Sequence, residues 1–360
     1  MIAPGSGWEG ARRVLAVRLD AMGDVLMTTP AIRAIKGPGR HVTLLTSPSG
    51  AAAAALVSEV DEVIVYEAPW LKATPTRDDA RHEFGMAQQL RDGGFDAAAI
   101  LTVFSQNPLP SALLCWFAGI PLRLAHCREN PYQLLTDWVP ELEPDRLERH
   151  EVRRQLDLLA TVGYRVADER LAIRVPEPAR RAVAGLLESA GIDPNRPWLP
   201  IHPGATAPSR RYPPESFALA ARGIVADLGY QVIFTGSAGE RDLIESIRAA
   251  MGVPSGSLAG RVDLGGLAAV IERAPVLVSN NTGPVHVAAA VGTPVAVLYA
   301  LTNFQHTPWS VPNRVLNYDV PCKPCFKSIC PEGHHDCLRK VPPEAVVRAV
   351  RELVGAVAAR

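Results

Sequence analysis

The chain has 360 residues, 48% of them apolar and 21% charged, which excludes a disordered protein and favours two folded domains over one. Its formal net charge is zero, so nothing global favours nucleic acid or an anionic membrane, and any anion must bind through local groups. The opening MIAPGSGWEGARR lacks the apolar core of a secretory signal, and no apolar window resembles a membrane span; we predict a frayed tail and a cytoplasmic protein.

Apolar runs of strand length alternate with helical patterns through the first half of the chain. The predicted strands are RRVLAVRL, HVTLLT, DEVIVY and FDAAAILT. The predicted helices between them are GDVLMTTPAIRAIK, PSGAAAAALV and RHEFGMAQQLRDG. The strands are continuously apolar, which is typical of a parallel sheet covered on both faces by helices. A polar stretch, PELEPDRLERHEVRRQ, then leads into the helical pattern QLDLLATVGY.

The alternation begins again after PEPARRAVAGLLESAGIDPNRP. The predicted strands are WLPIHPG, QVIFTG, SGSLAG, PVLVSN and PVAVLY, and the helices are PPESFALAARGIVADLG, GERDLIESIRAAMG, DLGGLAAVIERA and GPVHVAAAVG. We therefore predict an α/β protein with two doubly wound domains, residues 1–175 and 176–341, whose ligand site faces the carboxyl ends of both sheets. An amphipathic helix within residues 342–360 is predicted to pack on the body.

The first segment that carries chemistry is RLDAMGDVLMTTPAI, residues 18–32. A strand ends here in a turn with two carboxylates, Asp20 and Asp24, and Gly23 opens the helix. A carboxylate at a helix start often serves only as a cap or as a partner of the helix dipole, and that alternative stays open. The functional interpretation is that Asp24 projects into the ligand site as a general base.

The second segment is IHPGATAPSRRYPPESF, residues 201–217. Thr206 lies in a loop of small residues that lets a ligand approach the backbone. Arg210 and Arg211 suit charge-assisted bonds to a diphosphate, although a solvated pair of Arg side chains would give the same pattern.

The third segment is VSNNTGPVHVAAAVGTPVAVLY, residues 278–299, where a buried strand stops at a cluster of small polar groups. Thr282, Gly283 and the N–H groups that follow predict a phosphate site at the helix start. His286 lies one turn along. A lone His in an apolar helix is more often a core residue, but the first turn of such a helix favours a ligand contact.

These three segments, in this order and spacing, resemble glycosyltransferase family 9, whose best-known members are ADP-heptose:lipopolysaccharide heptosyltransferases. The resemblance runs over nearly the whole chain and is carried by GD near the start, PGA and S-R-R-Y-P-P-E in the middle, and N-T-G-P-V-H-V-A-A-A late. It implies a glycosyltransferase B (GT-B) fold, two Rossmann-like domains facing a central cleft, with the acceptor on the first domain and the nucleotide sugar on the second. It also implies an inverting reaction in lipopolysaccharide core biosynthesis that needs no metal, with ADP-heptose or a close nucleotide sugar as donor.

The resemblance implies roles for the matching residues. Asp24 falls on the family's catalytic base, and Met22 and Gly23 on the acceptor-side loop. The positions implied to hold the donor are Thr206, Arg210, Arg211, Leu264, Asn281, Thr282, Gly283 and His286, with the adenine near the backbone of Val262 to Leu264. Asn281 departs from the family's usual Asp, so it loses a charge and gains hydrogen-bond donors. The exact donor sugar therefore stays open.

Four of the six Cys lie in CKPCFKSICPEGHHDC, residues 322–337. The spacing C-x₂-C-x₄-C-x₆-C would permit a tetrahedral zinc site formed by Cys322, Cys325, Cys330 and Cys337. Reduced or pairwise-bonded thiols are the alternative. Cys115 in the apolar helix SALLCWFAG is predicted to be a small core residue.

Other functions stay open: a non-catalytic or altered-donor nucleotide-sugar-binding protein, or a nucleotide-sugar epimerase of the same fold. No G-x-G-x-x-G follows the first strand, and no Walker loop or G-x-S-x-G elbow occurs, which argues against a dehydrogenase, an ATPase and an esterase. The acceptor is a glycan, a lipid-linked sugar or a small molecule, contacted by the loops YEAPWLKATPTRDDARHEF and TVFSQNPLPS. We expect a monomer with peripheral contact at the inner face of the membrane.

Overall fold

The computed structural model describes residues 7–71 and 74–358. The chain divides into two compact units, of which unit 1 ends at Ala172 and unit 2 begins at Ile173. The boundary predicted after residue 175 lies in the same connecting segment. No helix in the described parts of the chain has both the length and the apolar character that crossing a bilayer requires.

Unit 1 contains one parallel sheet of six strands in the order β3-β2-β1-β4-β5-β6. Its elements are β1 (Arg13–Arg18), α1 (Met22–Met27), α2 (Thr29–Lys36), β2 (His41–Thr46), α3 (Pro48–Ala54), β3 (Glu62–Val65), α4 (Arg81–Asp92), β4 (Ala97–Ile100), α5 (Leu109–Phe117), β5 (Leu122–Cys127), β6 (Asp137–Pro140) and α6 (Glu151–Ala160). The central strands β1 and β4 are buried along nearly their whole length, as their continuous apolar sequences require.

Unit 2 contains a second parallel sheet of six strands in the order β12-β11-β10-β7-β8-β9. Its elements are α7 (Glu177–Ser189), β7 (Trp198–His202), α8 (Pro214–Leu228), β8 (Gln231–Phe234), α9 (Arg241–Met251), β9 (Gly256–Ser257), α10 (Leu264–Arg273), β10 (Leu277–Asn280), α11 (Gly283–Val291), β11 (Val295–Leu298), β12 (Asn313–Leu316), α12 (Asp336–Arg339) and α13 (Pro343–Ala358). Helix α13 buries Val346, Val350 and Leu353 in the same apolar core as Phe217 of α8.

Both sheets follow one topology. The first strand of each unit lies in the middle, the next two extend the sheet on one side, and the fourth returns to pair on the other side of the first. This reversal makes a switch point at the carboxyl ends of β1 and β4 in unit 1, and of β7 and β10 in unit 2. Ligands of doubly wound sheets bind at such points. The predicted fold class, α/β with two Rossmann-like domains, is confirmed.

Two local predictions were wrong in unit 1. The single helix predicted over residues 23–36 divides into α1 and α2, because Pro30 has no N–H for the carbonyl of Leu26; the hydroxyl of Thr29 donates to that carbonyl instead (2.7 Å). The predicted frayed tail is ordered from Trp8, which is fully buried and donates from Nε1 to Asp137 (2.9 Å). Residues 1–6 of that tail lie outside the described residues.

Candidate active site

The turn after β1 places two carboxylates at the switch point of unit 1. Ala21 is extended, and α1 begins at Met22, with Gly23 buried and Asp24 in the first turn. The side chain of Asp24 is 22% exposed, whereas that of Asp20 is 13% exposed. Of the two carboxylates, Asp24 is therefore the more accessible to a ligand.

A buried arginine holds both carboxylates. Arg18 is 1% exposed, and its guanidinium contacts Asp20 through Nε (3.0 Å) and Asp24 through Nη2 (3.2 Å). Nη1 reaches Glu151 at the start of α6 (2.8 Å). Burial opposes the charge of Arg18, but the three carboxylates outweigh it and raise the arginine's pKa above its ordinary value. Arg18 therefore stays a cation that fixes the orientation of Asp24.

Sequence reasoning quoted Arg18 within its motif but assigned it no role, and it missed Glu151 altogether. Burial raises the pKa of Asp20, and Arg18 opposes that rise. Glu151 lies in a segment that was predicted to be a polar linker, yet α6 begins there and the side chain is fully buried. The signal available in the sequence was Arg18 itself. A charged residue at the end of an apolar strand usually has a buried partner of opposite charge, which here is Glu151.

A cavity of about 360 Å³, which we call the first cavity, lies beside this turn in unit 1. Its lining combines Leu19 after β1 with Trp70 and Gln106 from the two loops predicted to contact the acceptor. Gln106 donates from Nε2 to Oδ1 of Asp20 (2.5 Å), which connects the cavity wall to the carboxylate pair. Lys72 and Ala73 of the first loop lie outside the described residues.

The loop after β7 in unit 2 gives its two arginines different roles. Arg211 donates from Nε to the carbonyl of Ala205 (2.8 Å) and from Nη2 to that of Thr206 (3.3 Å), so it holds its own loop in shape. Arg210 is half-buried in a short 3₁₀ turn and makes no side-chain hydrogen bond or ion pair with any residue that the structure describes. Thr206 is exposed. Arg210 is thus the arginine of this pair whose donors are available to a ligand.

The loop after β10 contains two consecutive buried asparagines with different surroundings. Asn280 accepts from the backbone N–H of Tyr212 (3.1 Å) and donates to the carbonyl of Pro203 (2.6 Å), which joins the two loops of the switch point. Asn281 is 1% exposed, and within the described chain its Nδ2 has no hydrogen-bond partner. A buried donor without a partner is rare in folded proteins and points to a ligand contact.

Helix α11 begins directly after these asparagines. Thr282 occupies the N-cap position in extended conformation (φ −151°, ψ 178°), and its side chain does not cap the helix. Pro284 has no N–H, and the N–H of Val285 donates to the carbonyl of Thr282 (3.0 Å), so the N–H of Gly283 is the first-turn donor that remains for a ligand. Gly283 is the first residue of the helix, and His286, one turn along, is buried. The arrangement leaves a helix N-terminus at the switch point, where a phosphate is favoured.

Glu240 is a site residue that the sequence analysis did not find. It follows β8, and its Oε2 accepts from the N–H (2.7 Å) and the hydroxyl (2.9 Å) of Ser237 in a capping box. Its Oε1 lies against Gly204, where an added Cβ would come within 1.8 Å. Burial lowers the pKa of neighbouring His202 to about 4, and Glu240 opposes that shift. The four-residue capping signature SAGE after a strand was the available signal.

The remaining donor-site prediction, Leu264, is the first residue of α10 and is half-buried. Asp263 caps this helix by accepting from the N–H of Gly266 (2.7 Å). The segment follows β9 and so lies at the same edge of the sheet as the switch point of unit 2.

Because the family resemblance implies an ADP-sugar donor, replacing Gly204 by Ala is expected to weaken the affinity for ADP roughly 10- to 100-fold: the new Cβ must displace Glu240, and a charge-assisted hydrogen bond from this carboxylate to the nucleotide would be of that strength. Isothermal titration calorimetry with ADP measures this. The Cβ would meet Oε1 at the end of the flexible Glu240 side chain, which can move aside, so the thermal stability should change little. Glu240→Gln should reproduce the loss; unchanged affinity in both variants would contradict a role for Glu240 in binding.

The cysteine-rich segment, residues 322–337, contains Cys322, Cys325, Cys330 and Cys337. All four cysteines are free thiols, and no three His, Cys, Asp or Glu side chains in the described chain are grouped so as to hold a metal ion. Cys322 Sγ lies 3.9 Å from Nε2 of His334. Burial raises the pKa of Cys337, and the other three thiols add to that rise, which places them in its neighbourhood. The zinc site stays a prediction.

Known proteins are similar to this chain in sequence and in architecture. The family model of glycosyltransferase family 9 (heptosyltransferase) matches residues 84–335. Lipopolysaccharide heptosyltransferase 2 of Escherichia coli (strain K12) is 28% identical over 286 residues, 75% of this chain and 78% of that protein. The solved structure of the glycosyl transferase family 9 from Veillonella parvula DSM 2008 has a TM-score of 0.78 at 23% identity and covers 96% of this chain and 97% of its own.

The structure of E. coli ADP-heptose lps heptosyltransferase II has a TM-score of 0.72 at 24% identity and covers 96% of this chain and 99% of its own. These two structures confirm the predicted GT-B type of fold. The resemblance that the three sequence segments indicated is confirmed by the family match. The chain is a glycosyltransferase and belongs to glycosyltransferase family 9, the heptosyltransferase family.

Proposed function

We propose that the protein transfers a heptose, or a closely similar sugar, from ADP-heptose to a hydroxyl of a lipopolysaccharide core acceptor, with inversion at the anomeric carbon. The relatives support the substrate class, since their names specify lipopolysaccharide heptosyltransferase 2 and ADP-heptose lps heptosyltransferase II. The family resemblance implies the roles of the two units, and their side chains support them: unit 2 would hold the donor, and unit 1 would provide the base and contact the acceptor.

In the proposal, the donor's diphosphate binds at the switch point of unit 2. Helix α11 offers the N–H of Gly283 and the positive end of its dipole beside Thr282. Arg210 adds a cation whose donors no described residue occupies. Both groups lie at carboxyl ends of neighbouring strands, which supports a shared role on one anion. Arg211 contributes by shaping the loop around Thr206.

The nucleoside of the donor would lie along the same edge. Glu240 presents a carboxylate above Gly204, and an acidic residue after the second strand of a Rossmann unit typically accepts from ribose hydroxyls. The adenine would lie near the start of α10 at Leu264. Asn281 would donate from Nδ2 to an oxygen of the donor, which satisfies the one buried amide group left without a partner in this loop.

The reaction itself is assigned to Asp24. Its carboxylate accepts the proton of the acceptor hydroxyl, and the hydroxyl oxygen forms a bond to the anomeric carbon. The bond from that carbon to the diphosphate breaks, and ADP leaves with the electron pair. Arg18 keeps the Asp24 carboxylate oriented throughout. Arg210 and the α11 amides stabilise the charge that grows on the departing phosphate.

The observation that carries the proposal is the pairing of Asp24 with the fully buried Arg18 at the switch point of unit 1. A buried cation that contacts three carboxylates and leaves one of them accessible is a costly arrangement for a mere helix cap. The test incubates the protein with ADP-heptose and a heptose-terminated core oligosaccharide and follows ADP release, acceptor mass and the anomeric configuration of the product.

A gain of one heptose with inverted configuration supports the proposal. An isomerised ADP-sugar without a change in acceptor mass would indicate an epimerase. ADP binding without turnover of either substrate would indicate a non-catalytic binding protein. Turnover only with another nucleotide sugar would overturn the assignment of heptose, and would make Asn281 the first residue to examine.

Removal of divalent metal is expected to leave the rate unchanged. In the proposed mechanism Arg210 and the N–H groups of α11 supply the positive charge that stabilises the leaving diphosphate. Initial rates with excess EDTA should therefore match those with added Mg²⁺ within about twofold. Loss of a single charged contact to the phosphate would change the rate by more than that. A rate that falls on chelation and returns with Mg²⁺ would contradict this assignment.

A further inference from the structure

The cysteine-rich segment, residues 322–337, is the sequence motif to which the proposed mechanism gives no role. Much of the segment is exposed, and as far as His335 the structure describes it as turns and bends rather than as a helix or a strand. Its C-terminal end is anchored, because Leu338 is fully buried in the apolar core of unit 2 and Cys337 packs against that core. The question is what the exposed part of the segment holds.

The segment contacts the loop that follows β11. The N–H of Cys325 donates to the carbonyl of Leu301 (3.3 Å). The N–H of Phe326 donates to the carbonyl of Thr302 (2.8 Å). The thiol of Cys337 forms a further hydrogen bond with the backbone of Leu301. The segment is therefore attached to the carboxyl end of β11 at two places along its length.

The middle of the segment contacts the turn that follows β7, through Ser209. This serine is 2% exposed. Its backbone N–H donates to the carbonyl of Ser328 (3.0 Å), and its hydroxyl donates to the carbonyl of Lys327 (2.8 Å). Burial lowers the pKa of His335, and a hydrogen bond to the backbone of Ser209 opposes that shift. Three residues of the segment therefore meet at one buried serine.

Ser209 directly precedes Arg210, the arginine proposed to bind the donor's diphosphate. Both belong to the 3₁₀ turn Pro208–Arg210, in which the N–H of Arg210 donates to the carbonyl of Ala207 (3.0 Å). Because no described residue binds the guanidinium of Arg210, its direction depends on the backbone that carries it. The contacts of Ser209 fix that backbone on the cysteine-rich segment.

The strand order places these contacts around the proposed phosphate site. β10 lies between β11 and β7 in the sheet of unit 2, and α11 begins after β10. The cysteine-rich segment thus links the loops that follow the two strands on either side of β10. A buried hydroxyl requires a hydrogen-bond partner, and that of Ser209 finds it in this distant segment rather than in its own turn.

We propose that the cysteine-rich segment supports the donor site: the carbonyls of Lys327 and Ser328 hold Ser209, and Ser209 in turn positions Arg210 for the donor's diphosphate. Ser209 is a positioning residue in this proposal, since it acts on the donor through Arg210. The inference rests on the proposed function for the role of Arg210. It predicts that a change at the contact between Ser209 and the segment alters turnover through Arg210 alone.

The test is a double-mutant cycle of Ser209→Ala and Arg210→Ala, with initial rates at varied ADP-heptose. Ser209→Ala removes the bond to Lys327 and keeps the backbone bond to Ser328, so the turn should stay folded but position Arg210 less well. We expect kcat to fall about three- to tenfold, the strength of one neutral hydrogen bond. In the Arg210→Ala background the same change should lower kcat by less than about twofold, because the residue that Ser209 positions is absent.

Thr293→Val is the matched control. Thr293 is 3% exposed, and its hydroxyl donates to the carbonyl of Ile271 (2.8 Å) just before β11 begins, at the edge of the sheet opposite the site. This variant loses a comparable buried bond in unit 2 and should keep kcat within about twofold of wild type. An equal loss of kcat in Thr293→Val, an unchanged kcat in Ser209→Ala, or additive losses in the double variant would overturn the inference.

Calorimetry with ADP separates this inference from the proposed reaction. ADP carries the charge that the leaving phosphate acquires, so Ser209→Ala should weaken its affinity about three- to tenfold when Arg210 is present, and less than about twofold in Arg210→Ala. This pattern in a protein that transfers no sugar would overturn the proposed reaction and support the inference. Sugar transfer together with additive losses of ADP affinity would support the reaction and overturn the inference.

Discussion

Replacing Asp24 by Ala is expected to lower kcat about 10²- to 10⁴-fold, the usual contribution of a positioned general base. ADP affinity should stay within about twofold of wild type, because all the residues proposed to hold the nucleotide belong to unit 2, whereas Asp24 lies in unit 1. Initial-rate kinetics and calorimetry with ADP provide the two measurements. The separation of turnover from binding is the signature of a base, since a residue that shaped the donor site would affect both.

Asp20→Asn is the matched control for this variant. Both substitutions remove one carboxylate from Arg18, but Asp20 is the more buried of the two and bonds Gln106. If the loss in Asp24→Ala came only from disturbing the charges around Arg18, Asp20→Asn should lower kcat as much. We expect a smaller loss in Asp20→Asn. Equal losses in the two variants, or a parallel loss of ADP affinity in Asp24→Ala, would remove Asp24 from its assigned role.

Replacing Arg210 by Ala should lower kcat/KM for the donor by about 10- to 100-fold, the value of one charge-assisted hydrogen bond to phosphate. The physical reason is that the guanidinium of Arg210 forms no side-chain bond within the described chain and is half-buried at the loop after β7. Most of the loss should appear in kcat, because the charge on the phosphate is greatest as the sugar leaves. Steady-state kinetics at varied ADP-heptose separate kcat from KM.

Arg211→Ala is the control for this variant, because Arg211 is the neighbouring residue and has the same side chain. Arg211 uses its donors on the carbonyls of Ala205 and Thr206, so its removal should loosen the loop and raise KM with a smaller effect on kcat. Arg210→Lys should retain part of the activity, because it keeps the charge and loses only the fork geometry. An Arg210→Ala variant with wild-type kcat would show that the leaving group is stabilised elsewhere.

Most of the strands that could be predicted are buried on both faces, although the edge strands β3 and β9 were predicted as well. β1, β2, β4, β7 and β10 are continuous apolar runs because helices cover both sides of each sheet. β6 and β12 were missed because edge strands need less apolar sequence; DWVP and NRVL carry charge, and β6 ends in a proline. β5 was missed because it contains Arg123, whose charge is satisfied by carbonyls in the turns around it.

The residues at the strand-to-helix turns could be predicted from the sequence, because their positions depend on the local order of strands and helices. Asp24 and Gly23 follow an apolar strand, and Thr282 and Gly283 precede a helix. Their positions could be predicted because the turn after a strand in an alternating α/β chain leads directly into the next helix. Both turns lie at the carboxyl ends of parallel strands, which is the edge where the alternation of strands and helices predicts a ligand site.

What local sequence could not supply was the partner of each polar side chain. Arg18 meets Glu151, Glu240 lies over Gly204, and His126 donates to Arg154 only because the strand order brings distant segments to one edge. The same holds for consecutive residues that have the same side chain. Arg210 differs from Arg211, and Asn281 from Asn280, solely in which backbone groups lie within hydrogen-bond reach. Hydrogen bonds act over about 3 Å, so their partners are fixed by tertiary contacts rather than by residue order.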